Sequence, residues 1–476
     1  MPKQNWVLKL KVSLHKVNQL SKQNKTLALG TKSVRSLLAE YAIPAIIAMT
    51  ATSIFHITDS IIIGHGVGAM ALSGLAITFP LMNLSAAVGT LVGIGAGTLM
   101  SIKMGEKDYQ AANTILGNVI ILKIITGLLF TLLTIPFLTP LLMLFGASEN
   151  TINYAYQYMI VILAGNIFTH MFFGLNVQLR SMGHPKIAML FTISCVFINA
   201  ILCALFVFVF KWGIFGAGFA TVLTQTIAFV IQMFVISNKK EIVHLQRKYL
   251  RINFGIVKEF LSIGMSPFLM NTLACFVVIV INRSLLLHGG DLAIGAYGII
   301  NRFAFLFFMI VMGITQGMQP IAGYNYGAKQ YARVISVFKI SAWIAVLITT
   351  LGFLVGEIFP TQISSLFTKE KELIGISATG IRWLFLAFPF MGFSIVSITL
   401  LQSIGRVKIS IFLTIVRQAF ILIPLVLFLP AYWGINGVWI GMMLSDFLAL
   451  ILTAFFMLRE LKTLKSKSKN FVPQIS

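Results

Sequence analysis

Twelve long apolar runs, separated by short polar or Gly/Pro stretches, limit this chain more than any other feature. A backbone in lipid has to satisfy its own hydrogen bonds, so runs of about 20 apolar residues are read as spanning helices. They fall near residues 37–62, 73–101, 113–135, 154–178, 187–210, 215–236, 260–286, 293–318, 334–358, 376–401, 408–429 and 435–458. Only 10% of the residues are charged against 58% hydrophobic, which excludes a soluble globular protein. The expected fold is all-α and integral to a membrane, with twelve transmembrane helices.

The net charge of +23 follows this topology. Basic residues recur in alternate connections: Lys32 and Arg35, Lys103 and Lys107, Arg180 and Lys186, the Lys239–Lys258 stretch, Lys329 and Arg333, Arg406 and Lys408, and Lys462–Lys469. The other connections are poorer in Lys and Arg, with Lys211 and "KEKE" at 369–372 as the main exceptions. That is the positive-inside pattern of a multi-pass protein of the bacterial cytoplasmic (inner) membrane with both termini cytoplasmic. The charge therefore reports topology, and nucleic acid is not expected as a partner. Cys195, Cys203 and Cys275 all lie in apolar segments, which points to neither a disulfide framework nor a metal site. The segment "WVLKLKVSLHKVNQL" near the N-terminus is no signal-peptide core; it is either a basic amphipathic stretch on the inner leaflet or a disordered tail.

The two halves match. "ALSGLAI" at 71–77 is echoed by "AIGAYGI" at 293–299, and "GAGTLMSIKMGEKDY" at 95–109 by "GMQPIAGYNYGAKQY" at 317–331. "LRSMGHPKI" at 179–187 returns as "LQSIGRVKI" at 401–409, and "WGIFGAG" at 212–218 as "WGINGVW" at 433–439. Pro44 and Asp59 keep the same spacing as Pro267 and Asn282. The offsets stay between 221 and 223, a regularity that apolar composition alone does not produce. Six spans per copy is an even number, so both copies insert the same way, as parallel repeats around a central cavity. The expected organisation is a basic N-terminal segment (1–35), an N-lobe (36–236), a cytoplasmic linker (237–259), a C-lobe (260–460) and a basic C-terminal tail (461–476).

Asp59, in "SIFHITDSIIIGHG", stands near the end of an apolar run. A charge at the centre of a membrane helix costs about 3 kcal/mol on insertion scales, so such residues face protein or water and carry function. Asn199 and Cys203 are i and i+4 and share one face of the fifth run. Counted along the helices, Asp59, Cys203 and Thr221 lie about 8–14 Å from the outer side, with Asn199 somewhat deeper. These groups are expected to converge in one half-membrane site where a desolvated carboxylate loads and releases a proton. The competing reading is that Asp59 only hydrogen-bonds a helix end near the surface. His56, one turn earlier, either packs or relays protons. Phe55 is a candidate for the lining of an adaptable apolar cavity.

Several stretches carry a family resemblance: "TDSIIIGHG" after Pro44, "ALSGLAITFP", "GAGTLMSIKMGEKD", "QGMQPIAGYNYGAKQ" and "RQAFILIP". Over about residues 36–460 the chain resembles the multidrug and toxic compound extrusion (MATE) transporters, in their MepA-like branch. The resemblance implies an antiporter that expels amphipathic, often cationic compounds while H+ or Na+ enters, by alternating access of two lobes. It also implies a coupling-ion site in the N-lobe, at Asp59, Asn199 and Thr221. Where the family has a second acid four residues after the Asn, this chain has Cys203. With fewer hard anionic ligands for Na+, the residues favour H+, though neutral oxygens also coordinate cations.

Asn282 takes the Asp59 position in the second copy, which confines the ion site to the first. Arg417 and Asp446 are read as a buried pair that fixes helix packing, with a gating or substrate role as the alternative. Arg302 is counted with Arg417, Asp446 and Asn282 among the buried polar groups of the C-lobe, structural or gating, and has no evident partner. No nucleophile–base set, metal-ligand cluster or nucleotide loop occurs, so an enzyme is not expected, and neither is a cofactor beyond the coupling ion. Small organic substrates, membrane lipid and a monomeric state are expected. A flippase for lipid-linked saccharides, or an exporter of one specific metabolite, is the alternative.

Overall fold

The computed structural model describes residues 28–470, and the N-terminal "WVLKLKVSLHKVNQL" segment lies outside them. The described chain is helical, without strands, and follows the apolar runs. The helices are α1 (Val34–Gly66), α2 (Ala69–Gly105), α3 (Tyr109–Thr134), a bent α4 (Ile152–Ala164 and Asn166–Ser181), α5 (Pro185–Ala204) and α6 (Gly213–Ile236). The second copy supplies α7 (Phe254–Gly290), α8 (Leu292–Gly327), α9 (Tyr331–Ile358), a bent α10 (Lys371–Phe385 and Phe388–Ser403), α11 (Val407–Trp433) and α12 (Ile435–Asn470). Ten of these are long and apolar enough to cross a membrane, and twelve when each bent pair counts as one span.

The breaks have local causes. α4 bends by 59° and α10 by 52°, at equivalent places in the two copies. At the first, Gly165 lets Val222 of α6 approach to where a side chain would stand. At the second, Pro389 cannot donate to the preceding turn. The turn between α7 and α8 is made at Gly290, whose φ of +66° suits a residue without a Cβ. A π-helical stretch follows α5 at Leu205–Val209, and α11 contains one at Val416–Leu422. α12 continues as helix to Asn470, past the expected end of its span at 458.

Packing divides the molecule into two lobes. Buried side chains from Ile62 to Ala220 form a core inside the first lobe, and those from Val277 to Trp439 a separate core inside the second. A third core draws on both lobes, joining Leu37, Leu99 and Met104 to Ile314, Ile321 and Leu400. These residues lie toward the helix ends that carry the Lys- and Arg-rich connections. The lobes are thus fused at this basic end and packed separately at the other.

Small residues make the fusion close. A Cβ on Gly264 of α7 would stand 1.8 Å from the Leu91 carbonyl oxygen of α2, and one on Gly317 of α8 would stand 2.6 Å from Ala42 Cα of α1. Polar bonds add to it: Gln319 Nε2 donates to Thr98 Oγ1 at 2.8 Å. Arg333 Nη2 donates to the carbonyls of Leu29 (3.0 Å) and Lys32 (2.7 Å), while Asn325 Nδ2 also donates to Leu29 O at 3.0 Å. The connection between lobes is strapped to α3, because Asn113 and Asn118 accept from the backbone of His244 and Asn253 at 2.9 and 2.8 Å.

Candidate functional site

The apolar core of the first lobe encloses a small polar cluster. Asp59, on α1 about two turns from its end, is 4% exposed. Asn199 and Cys203 reach it from one face of α5, and Thr221 from α6; all three are buried. The i, i+4 spacing on α5 therefore places an amide and a thiol side by side against the carboxylate.

The hydrogen bonds order the cluster. With the Asn199 amide turned so that both of its neighbours are satisfied, its nitrogen donates to Asp59 Oδ1 at 2.9 Å. Its oxygen then accepts from Thr221 N and Oγ1 at 3.1 Å. The Cys203 thiol lies beside Asp59. Tyr158 of α4 lies beside Thr221 and faces Asp59 and Cys203. Four helices thus hold one carboxylate among neutral groups, and no ion pair to Asp59 occurs among the described residues.

Asp59, Asn199, Thr221 and Cys203 therefore meet as the spacing predicted, and not at a lipid-facing surface. Phe55 lies one turn along α1 from Asp59 and is half-buried. The side chain of His56 lies outside the described residues. Tyr158 is the member that sequence reasoning missed. It stands among Tyr154, Tyr156 and Gln157, so no sequence signal singles it out.

In the second lobe, Arg417 Nε and Nη2 donate to one oxygen of Asp446 at 3.0 and 2.7 Å, forming the expected pair between α11 and α12. Arg417 lies within the π-helical stretch of α11. Asn282 is half-buried, and its Oδ1 finds no hydrogen-bond partner. Arg302, expected among the buried polar groups of this lobe, is instead exposed. Its stretch of α8 leaves that side chain uncovered by a neighbouring helix. No group of three or more metal-ligating side chains occurs among the described residues.

Solved structures share this architecture. One described as the outward-facing conformation of a multidrug resistance MATE family transporter of the MOP superfamily superposes with a TM-score of 0.86 at 22% identity, covering 92% of this chain and 98% of the other. Another, a MOP superfamily transporter from Pyrococcus furiosus Vc1 (DSM3638), gives 0.87 at 22% identity over 92% and 98%. In sequence, the multidrug export protein MepA of Staphylococcus aureus (strain NCTC 8325 / PS 47) is 26% identical over 419 residues, 86% of this chain and 90% of that protein. MepA of Staphylococcus haemolyticus (strain JCSC1435) is 25% identical over 423 residues, 89% and 93%. The MatE family profile matches residues 44–205 and 263–428, one segment in each lobe and together well over half of the sequence. The chain belongs to the MatE family.

Proposed function

We propose that this protein is a secondary multidrug efflux antiporter which exports amphipathic, often cationic organic compounds in exchange for H+, with Asp59 as the proton carrier. The observation that carries the reading is the neutral shell around Asp59. Asn199, Cys203 and Thr221 surround the carboxylate without bringing a charge, and the acid that would complete a two-carboxylate site is replaced by the thiol. A Na+ ion would need hard oxygens beside Asp59, and at that place the chain carries the Cys203 thiol. The names of the relatives support export of varied compounds, and the thiol in place of a second acid supports H+ over Na+.

The basic end is read as cytoplasmic, by the positive-inside pattern. The fused core then closes the inner side, and the separately packed cores make this the outward-facing state. In that state a deprotonated Asp59 is supported by Asn199. A proton entering from outside neutralises the carboxylate and removes the need for that donor. α1 is then free to shift against α5 and α6, so that drug release and return to the inward-facing state follow. Exchange of one H+ for one monocation moves no net charge, so each pH unit of gradient supplies about 1.4 kcal/mol, or tenfold accumulation. A neutral substrate would add the membrane potential, about 2.3 kcal/mol per 100 mV. In the second lobe Arg417 is neutralised by Asp446, which removes that one cation as a partner for the anionic headgroup of a saccharide lipid.

The test is ethidium efflux from cells that express the chain or its Asp59→Asn variant at equal levels. Loss of efflux with unchanged membrane abundance supports the reading. Full efflux from the variant rules out carboxylate coupling.

A further inference from the structure

A second ionisable centre lies in the same lobe, away from Asp59. Lys123, near the middle of α3, is only 1% exposed. Its side chain runs through a slot made by three glycines, Gly89 and Gly93 one turn apart on α2 and Gly174 on α4. A Cβ on Gly174 would stand 2.6 Å from Lys123 Cε and one on Gly93 3.3 Å from Nζ, so the lysine runs close against both backbones. Nζ donates to the Gly89 carbonyl oxygen at 2.6 Å.

Among the described residues no carboxylate pairs with that amine. α2, α3 and α4 contain no Asp or Glu, and their other cations, Lys103 and Arg180, stand at the basic end. The one titratable neighbour is His170, a turn before Gly174 on α4 and likewise buried. His170 Nε2 lies 3.7 Å, and Lys123 Nζ 3.8 Å, from the point where a side chain on Gly89 would begin. Ser85 Oγ donates to Asn166 Oδ1 at 2.8 Å, so it accepts from His170 Nε2 at 3.1 Å, as does Ser85 O. The proton of a neutral His170 is thereby assigned to Nε2, and Nδ1 is left as a bare base without a hydrogen-bond partner.

A buried cation without a counter-charge is penalised by desolvation, and two adjacent cations also repel. The amine form of Lys123 keeps its bond to Gly89 and escapes both penalties. We propose that Lys123 and His170 form a second proton-binding site of the N-lobe, distinct from Asp59, in which two bases hold at most one proton that is taken up and released reversibly. The proton adds to a nitrogen lone pair and leaves as H+; no other bond changes. The site has a place to act: Lys123 lies behind Gly89 and Gly93, while Leu91 and Gly95 on another face of α2 press on α7 where the lobes fuse. A charge switched on behind α2 stands one helix away from that closure.

The proposal does not depend on the Asp59 reading and is tested with Asp59 removed. Full-length Asp59→Asn protein in weakly buffered detergent is taken stepwise from pH 9 to pH 5, and proton uptake is read with a pH dye. It is compared with the same protein carrying Lys123→Arg, which keeps the charge permanently, and with one carrying Lys123→Met and His170→Gln, which leaves neither base. Gel filtration reports folding, and where one variant does not fold the other decides. Uptake of about one proton fewer in each folded variant is the expected result. Uptake equal to that of the parent in either folded variant overturns the proposal.

Discussion

Gly105 of α2 and Gly327 of α8 occupy equivalent positions in the two copies, and each receives the other lobe's backbone. A Cβ on Gly105 would stand 1.9 Å from the Tyr324 carbonyl oxygen, and one on Gly327 would stand 2.0 Å from the Ile102 carbonyl oxygen. Ile102 and Tyr324 are themselves equivalent, so the inner closure is a symmetric handshake of two helix ends. The obstructing atoms are backbone, which cannot rotate aside.

Gly105→Ala combined with Gly327→Ala is expected to disfavour the closed inner side by about 1–3 kcal/mol, the usual scale of overpacking. Ethidium efflux should fall several-fold. A cysteine introduced at Leu29, which is fully buried here, should become accessible to a maleimide from the cytoplasmic side. Unchanged efflux and labelling would show that this closure does not limit transport.

Arg333→Gln is expected to release the segment that precedes α1. It removes charge-assisted bonds to Leu29 and Lys32, each on the scale of about 1.5–3 kcal/mol. Backbone amides from 28 to 33 should exchange with deuterium markedly faster than in the parent, while those of α6 stay as they were. Equal exchange at both places would contradict a latch.

The Arg417–Asp446 pair makes a prediction through non-additivity. Arg417→Met or Asp446→Leu alone strands one member of a half-buried pair and is expected to lower the melting temperature. The double variant should melt close to the parent and still transport. Recovery of stability without transport would instead assign the pair to gating or substrate.

Cys203→Asp places a second carboxylate beside Asp59 and restores two hard oxygens for a cation. Ethidium transport driven by a Na+ gradient should rise at least several-fold over the parent. No gain with Na+, in a protein that still transports with a pH gradient, would count against the placement of Cys203 in the ion site.

Much of this architecture was legible before any coordinates, for physical reasons. Twelve apolar runs and a constant offset define a duplicated bundle, since lipid admits only helices of sufficient length. Asp59 stood out because a lone acid in an apolar run is costly, and Asn199 with Cys203 because i, i+4 residues share a face. Lys123 escaped notice although it is as anomalous as Asp59. Its partners are a glycine carbonyl 34 positions earlier and glycines on two helices, which leave no mark of complementary charge in the sequence. Tyr158 was hidden among other aromatics, and Arg302 looked buried because residue counting gives depth but not facing. Which end of the lobes closes depends on backbone approach at Gly95, Gly105, Gly264 and Gly327, and glycines in membrane helices are too common to single those out.

The central claim is that the carboxyl group of Asp59 couples proton entry to drug exit. It is tested most directly in proteoliposomes that hold the purified full-length chain or Asp59→Asn, with ethidium as substrate and a pH gradient imposed in the absence of Na+. The parent is expected to drive ethidium against its gradient, and the variant to bind ethidium without accumulating it. Accumulation by the variant equal to that of the parent, or a parent that transports only when Na+ is supplied, would contradict the account.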